Sequence, residues 1–150
     1  ATVDLLRAVA EDPVSATIRR NANPVSTLME IATLALEGEI KEARGDLDGA
    51  IADYAAAVQA EDTLAYTEPP DWAQPARLYL GAALLAAGRA KTAEAVYRND
   101  LIENRNDGWS LFGLYQSLEA QGKTASAETV LSDFEAAWEN ADVELTRSRF

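Results

Sequence analysis

The sequence predicts an all-α fold made of helix pairs that repeat along the chain. A pattern of apolar, glycine and alanine positions between Leu80 and Tyr97 recurs 34 residues downstream, between Leu114 and Leu131. Much of the 48% apolar content is alanine, which favours closely packed helices over sheets. Self-similarity at a fixed period of this length is typical of stacked helix pairs. The corresponding positions are Leu80 and Leu114, Leu84 and Leu118, Gly88 and Gly122, Ala93 and Ala127, Glu94 and Glu128, Val96 and Val130, and Tyr97 and Leu131.

Composition excludes several classes of partner and site. The chain has 150 residues, a length typical of one domain, and a net charge of −12, which disfavours nucleic acid and anionic membrane surfaces. It has no histidine and no cysteine, so the commonest general base and the commonest metal ligands are missing, and no cofactor or metal is predicted. We find no apolar run near the roughly 20 residues of a membrane span. No export signal is visible, but the chain begins with Ala1 rather than Met, so the sequence does not determine whether the protein is exported, periplasmic or cytoplasmic.

The first part of the chain predicts one helix, a connector and a first helix pair. Val3–Asp12 has a helical pattern that resembles the second helix of a repeat, and the polar stretch Pro13–Asn23 is interpreted as a connector. A capping box at Thr27 and Glu30 predicts a helix over Thr27–Arg44, ended by Gly45.

The partner helix, Leu47–Ala60, is predicted to be capped by Asp46 and carries Ala50-x-x-x-Tyr54, the spacing of Ala93-x-x-x-Tyr97. These two motifs are 43 residues apart rather than 34, which places an inserted loop at residues 61–74. Pro69 and Pro70 stiffen that loop, and Asp71 with Gln74 is expected to cap the next helix.

Two further helix pairs follow the loop, and a short extension closes the chain. Tyr97 is predicted to lie in the core, whereas Glu94 lies on a neighbouring face where its removal should cost little. The predicted helices are Pro75–Ala87, Ala90–Glu103, Trp109–Gln121 and Thr124–Asn140, with a turn at residues 104–108 and an irregular extension at Asp142–Phe150.

This order of Leu-Gly-x-x-Leu, glycine and Ala-x-x-x-Tyr resembles the tetratricopeptide repeat (TPR), a helix-turn-helix unit. The resemblance covers Leu28–Trp138, with repeats at about 28–61, 74–106 and 108–140 in a single domain over residues 1–150. It implies a right-handed α-solenoid of about three helix hairpins, plus the N-terminal helix and the C-terminal extension. The sequence departs from the family pattern at Glu37 and Lys41, which occupy positions that are usually apolar.

Three longer runs, AYTEPPDW (65–72), LGAALLAAGRA (80–90) and DGWSLFGL (107–114), are similar to the C-terminal part of large bacterial TPR proteins. That similarity implies a bacterial origin and a C-terminal fragment, and it supplies no activity.

In TPR proteins the first helix of each pair lines a concave groove, and the resemblance implies such a groove here. With Leu80, Gly81 and Leu84 in the core, other residues of the first helices are expected to face the groove. The loop could supply three more binding residues. The groove candidates are Glu39, Glu42, Leu78, Ala82, Leu85, Trp109, Phe112, Gln116 and Glu119, and the loop candidates are Glu68, Asp71 and Trp72.

Carboxylates beside aromatic anchors suit an apolar or basic protein segment, with Trp109 and Phe112 as candidate hot spots. Each candidate also has a structural interpretation. The two aromatic residues could cover a neighbouring helix or a folded-back C-terminal tail, and Glu39 and Glu42 could form a solvated face. The loop could be a spacer, with Trp72 packed under the helix ends.

Two hypotheses of function follow. One is a non-catalytic scaffold that binds a protein or peptide in the groove. The other is a structural C-terminal block, or a self-association module, with the oligomeric state undetermined. An open groove favours the first, whereas a groove filled by the chain's own tail, or a large symmetric contact, favours the second. Catalysis is disfavoured, because without His or Cys it would need a pair of carboxylates or a Lys, Ser or Tyr activated by burial, and an acidic helical chain has many carboxylate pairs by chance. The candidate carboxylates are Glu39, Glu42, Glu68, Asp71 and Glu119.

Overall fold

A computed structural model of the chain describes residues 2–149. Within that range it contains eight helices and one hairpin of two-residue strands, so the predicted all-α fold is confirmed. The chain forms two compact units, Ala1–Ala76 and Arg77–Phe150. The elements are α1 (Thr2–Glu11), α2 (Pro13–Thr17), β1 (Arg19–Arg20), β2 (Asn23–Pro24), α3 (Val25–Ala43), α4 (Leu47–Glu61), α5 (Ala76–Ala86), α6 (Ala90–Glu103), α7 (Gly108–Glu119) and α8 (Thr124–Ala137).

The same turn joins α3 to α4, α5 to α6, and α7 to α8. Its central residue is Gly45, Gly88 or Gly122, with φ angles of 81°, 71° and 70°. This is the left-handed region of backbone conformation, which glycine adopts readily and residues with a side chain do not. In each turn the glycine N–H donates to the carbonyl three residues earlier, and the next N–H donates to the carbonyl five residues earlier. These bonds satisfy the last carbonyls of the first helix. The turn glycines therefore end the first helices as the spacing predicts.

A buried tyrosine packs against glycine in both units. In the first unit the ring of Tyr54 on α4 lies against Gly38 of α3. In the second unit the ring of Tyr97 on α6 lies against both Gly81 of α5 and Gly113 of α7. A Cβ atom at any of these three glycines would overlap the ring. The tyrosines are fully buried, and so are the predicted small core residues Ala50, Ala93 and Ala127.

The region before α3 is more ordered than predicted. Residues 13–23, interpreted from the sequence as a connector, contain α2, whose first turn is capped by the carboxylate of Asp12 (Val14 N to Oδ1, 2.8 Å), and most of the β1–β2 hairpin. The two strands are antiparallel, with Arg19 opposite Pro24. The capping box predicted at Thr27 is wrong, because α3 begins at Val25 and Thr27 lies inside its first turn.

Two other predicted helix ends are also wrong. Asp71 and Gln74 do not cap α5; the helix begins at Ala76, whose N–H donates to Glu61 Oε2 at 2.8 Å. Helix α8 ends at Ala137 rather than Asn140, with Trp138 as its C-cap residue.

The charged residues at usually apolar positions of α3 are explained by neighbouring helices. Glu37 pairs with Arg7 of α1. Lys41 pairs with Asp53 of α4, with 2.6 Å between Nζ and Oδ2. Since α3 packs against both α1 and α4, opposite charges on those helices replace part of its apolar contact.

The substitution Tyr97→Ala should lower the free energy of unfolding by about 3–5 kcal/mol, because it removes a fully buried ring between three helices. Tyr66→Ala, which truncates a tyrosine that is 83% exposed, should change it by less than about 0.5 kcal/mol. Urea unfolding of both variants measures the difference. Equal, small effects would contradict the placement of Tyr97.

The expectation that Glu94 contributes little does not fit its contacts. Its carboxylate accepts hydrogen bonds from Lys123 (2.6 Å) and Gln121 (2.8 Å), which join α6 to the α7–α8 turn. It also accepts one from Arg98 (3.0 Å) within α6. The bond from Lys123, followed by those from Gln121 and Arg98, lowers the pKa of Glu94 to about 2. A lowered folded-state pKa stabilises the fold above the ordinary value of 4.5, and that stability is lost as the pH falls towards 2.

Glu94→Gln should therefore lower the free energy of unfolding by roughly 1 kcal/mol at pH 7, since the cationic partners are partly exposed. The difference from the wild type should shrink between pH 5 and pH 3. Glu128→Gln is the matched control, because Glu128 is the exposed equivalent of Glu94 in the next repeat. If the two variants lost equal stability at every pH, the bridge would contribute nothing.

Candidate functional site

The residues after α8 fold back onto the second unit. We call residues 142–149 the closing segment; Phe150, the last residue of the predicted extension, lies outside the described residues. Trp138 Nε1 donates to the carbonyl of Val143 at 2.7 Å, which fixes the reversal of the chain after the helix. Gln116 of α7 then donates from Nε2 to the carbonyl of Thr146 at 3.2 Å. The closing segment thus runs back across α7.

Ser148 is the most deeply buried residue of the closing segment, with no exposed surface. Its hydroxyl lies 3.3 Å from the carbonyl oxygen of Leu78, and it is also hydrogen-bonded to the hydroxyl of Tyr97. A serine hydroxyl has one proton, so donation to Leu78 leaves Tyr97 as the donor to Ser148. Burial raises the pKa of Tyr97, which keeps that phenol protonated and able to donate.

Arg149 is the second anchor of the segment. It is 6% exposed, and its guanidinium carbon lies 5.0 Å from the centre of the Tyr79 ring. A guanidinium stays charged in proteins, and an aromatic face attracts a cation at this distance. The segment is therefore held through three of its own groups: the Thr146 carbonyl, the Ser148 hydroxyl and the Arg149 guanidinium.

We call the surface under these contacts the closed face; it consists of the Leu78 carbonyl, the Tyr79 ring, the Tyr97 hydroxyl and the Gln116 amide. Helices α5, α6 and α7 each contribute to it. Sequence reasoning identified Gln116 as a groove residue but missed Tyr79, Ser148 and Arg149. The signal was present in the basic stretch Thr146–Arg149 at the end of an acidic chain.

The two predicted aromatic hot spots pack against α8. Trp109 meets the ring of Trp138 edge to face, with 5.4 Å between ring centres. Phe112 lies 5.2 Å from Phe134. Both rings are half-buried, and each lies against an aromatic ring of α8 or its C-cap residue. The structural interpretation of this pair, in which the rings cover a neighbouring helix, fits these contacts.

The other groove candidates of the second unit are in different environments. The Leu78 side chain is 1% exposed in the presence of the closing segment, and its backbone carbonyl lies under Ser148. Ala82 and Leu85 are half-buried, and Glu119 is exposed at the end of α7. Of the predicted residues in this unit, Gln116 bonds the closing segment through its side chain and Leu78 through its backbone carbonyl.

The acidic candidates of α3 belong to the first unit. Glu42 accepts a hydrogen bond from the hydroxyl of Tyr54 at 3.1 Å, so it anchors the buried tyrosine of that unit. Glu39, one turn earlier, is exposed. The acidic and aromatic parts of the predicted groove therefore lie in different units.

The inserted loop is tied to the β1–β2 hairpin. The carboxylate of Asp71, whose side chain is 1% exposed, accepts hydrogen bonds from Asn21 (2.6 Å), Asn23 (2.9 Å) and Arg20 (3.2 Å). The bond from Asn23, with those from Asn21 and Arg20, lowers the pKa of Asp71. Asn23 is buried and also bonds both backbone polar groups of Ala65. Asp71 is committed to holding the loop in place, which supports its structural interpretation.

The other two loop candidates differ from each other. Glu68 is exposed and accepts a hydrogen bond from the hydroxyl of Tyr66, two residues earlier. Trp72 is half-buried, with its indole nitrogen out of contact with solvent. Trp72 is thus partly covered by the protein, whereas Glu68 is not.

A cavity of about 350 Å³ lies between α1 and α3 in the first unit. Its wall includes the Arg7–Glu37 ion pair, together with Glu11, Glu30 and Thr33. The hydroxyl of Thr33 donates to the carbonyl of Met29 in the same helix. The Arg7–Glu37 ion pair and the Thr33 hydroxyl thus have their partners within α1 and α3.

One buried carboxylate has the raised pKa that could mark a catalytic acid. Asp100 is 2% exposed, and burial raises its pKa against the opposing effect of its hydrogen bonds from Ser110 (2.6 Å) and Asn104 (3.0 Å). The bond from Ser110 joins α6 to α7, and the bond from Asn104 closes the C-terminal end of α6. Asp100 therefore acts as a buried link between helices.

In the described part of the chain, no group of three or more acidic side chains is placed to hold a metal ion. None of the described helices combines the length and the apolar character needed to cross a membrane. No protein-family model matches the sequence, and no curated protein and no solved structure matches it either.

Proposed function

We propose that this chain is a non-catalytic helical-repeat module of the tetratricopeptide type, and that it serves as a structural block whose second unit is closed by its own C-terminal segment. The proposal includes the stacking of the helix pairs into a solenoid. Support for the repeat comes from the identical turns at Gly45, Gly88 and Gly122 and from the tyrosine–glycine contacts at Tyr54 and Tyr97.

A single observation carries the choice of a structural block over an open scaffold: Ser148 and Arg149 are buried on the face where a partner would bind. A groove filled by the chain's own tail is the feature that separates the two hypotheses. Ser148 satisfies a backbone carbonyl and a phenol on that face, and Arg149 covers an aromatic ring. Burying a polar group is favourable only where its partners are in place, and the Ser148 hydroxyl has two.

The scaffold hypothesis takes second place, because its proposed anchors, Trp109 and Phe112, already pack against α8. The contacts that hold the closing segment favour the scaffold hypothesis. A backbone carbonyl, a small hydroxyl and a basic side chain are the groups by which an extended basic peptide would be held.

The closing segment should contribute measurably to stability. Arg149→Ala removes the cation over Tyr79 and its buried stem, and it should lower the free energy of unfolding by roughly 1–2 kcal/mol. Ser148→Tyr, which cannot fit a fully buried serine site, should release the segment and lower it at least as much. Thermal and urea unfolding of the full chain measure both effects.

Thr146→Ala is the matched control, because the Thr146 side chain is exposed and its backbone carbonyl, which contacts Gln116, is retained. It should change stability by less than about 0.5 kcal/mol. If Ser148→Tyr and Arg149→Ala were both as stable as the wild type, the segment would not close the unit and the proposed role would be wrong.

A further inference from the structure

We propose that the closed face also accepts the closing segment of a second copy of this chain, so that two copies exchange segments and associate as a pair. Ser148 and Arg149 are the residues that each copy contributes to the other. The inference rests on the proposed closure by the chain's own segment, and it adds an occupant from outside the chain.

The contacts that hold the segment do not depend on its connection to α8. They are made by Thr146, Ser148 and Arg149, all at the far end of the segment, to groups on α5, α6 and α7. The same atoms from another copy would satisfy the Leu78 carbonyl, the Tyr97 hydroxyl and the Tyr79 ring equally well. An exchanged segment therefore preserves each of these polar contacts on the closed face.

The connection between α8 and the anchors costs little to straighten. Residues 139–144 are all exposed, so moving them uncovers no core. Two hydrogen bonds shape the reversal, from Trp138 Nε1 to the Val143 carbonyl and from Ala141 N to the Trp138 carbonyl. Water can replace both in an extended connection.

Each copy carries one closed face and one closing segment, so reciprocal exchange uses both on both copies. Such an exchange is self-complementary and closes as a two-fold pair, without unused ends that would recruit further copies. Two factors oppose the exchange. The net charge of −12 on each chain makes two copies repel each other, and each attached segment is present at a high local concentration near its own closed face. Exchange therefore becomes visible when the attached segment is disabled and salt screens the charge.

The test uses the full chain carrying Ser148→Tyr, whose own segment no longer fits. A fluorescent peptide with the sequence of residues 140–149 is titrated against it, and fluorescence anisotropy reports binding. We expect the peptide to bind roughly tenfold or more tightly to the variant than to the wild type, where the attached segment competes. The same peptide carrying Ser148→Tyr should bind roughly tenfold or more weakly to the variant chain.

The second arm replaces the peptide with a whole chain. Labelled Ser148→Tyr chain, which retains an intact closed face, is mixed with Tyr79→Ala chain, which retains an intact closing segment. Sedimentation should then detect a pair that contains one copy of each variant. The double variant Tyr79→Ala, Ser148→Tyr should give none. Arg149→Glu serves as a second segment-disabled chain if Ser148→Tyr does not fold, as judged by circular dichroism.

The two proposals fail in different ways. If the segment-disabled chain remained as stable as the wild type, closure itself would be wrong. If that chain lost stability as expected and stayed folded, yet bound neither the peptide nor the second copy, then closure would stand and exchange would be overturned.

Discussion

The ring of Tyr97 lies between two glycines on different helices, and the second unit is arranged around that contact. Gly81 of α5 and Gly113 of α7 both lack the Cβ atom that would strike the ring, so α5 and α7 approach α6 closely enough to bury it fully. The ring is anchored in the core while its hydroxyl reaches the face where Ser148 binds. One side chain thus fixes the spacing of three helices and supplies a donor for the closing segment. Close packing makes such a contact intolerant of even one added methyl group.

Hydrogen-bonded polar groups join parts of the chain that the repeat does not join. Asp100 links α6 to α7 through Ser110, Glu94 links α6 to the α7–α8 turn, and Asn23 links the β1–β2 hairpin to the inserted loop. Each of these groups has partners for the atoms it buries, which is the condition under which polar burial stabilises a fold. The Ser148 hydroxyl follows the same rule on the closed face. Apolar packing sets the helix pairs, and paired polar groups attach the irregular segments to them.

The regular part of this fold was predictable because its signals are local. Gly45, Gly88 and Gly122 end helices through their own backbone, and Ala93 with Tyr97 lies on one helix face, so spacing alone places them. The fold class and most helix bounds followed from these signals. The family resemblance and the solenoid remain part of the proposal.

The irregular part was not predictable from spacing. Asp71 meets Asn21 and Asn23 about 50 residues away, and Ser148 meets Leu78 at a separation of 70. No periodicity marks such pairs. A helical period gives the faces of a helix but not what covers each face. It therefore did not show that Trp109 meets Trp138 or that Ser148 covers the Leu78 carbonyl. The candidate site thus depended on contacts that only the tertiary structure supplies.

The most direct test of the central contact is the sign of the stability change on Gly81→Ala. Alanine normally stabilises a helix interior relative to glycine by about 0.5–1 kcal/mol. If the Tyr97 ring occupies the space of the missing Cβ, Gly81→Ala should instead destabilise the chain by roughly 1–3 kcal/mol. The same substitution in a Tyr97→Leu background should lose most of that cost, as measured by urea unfolding in a double-mutant cycle. If Gly81→Ala stabilised the chain equally in both backgrounds, the contact between Tyr97 and Gly81 would not exist.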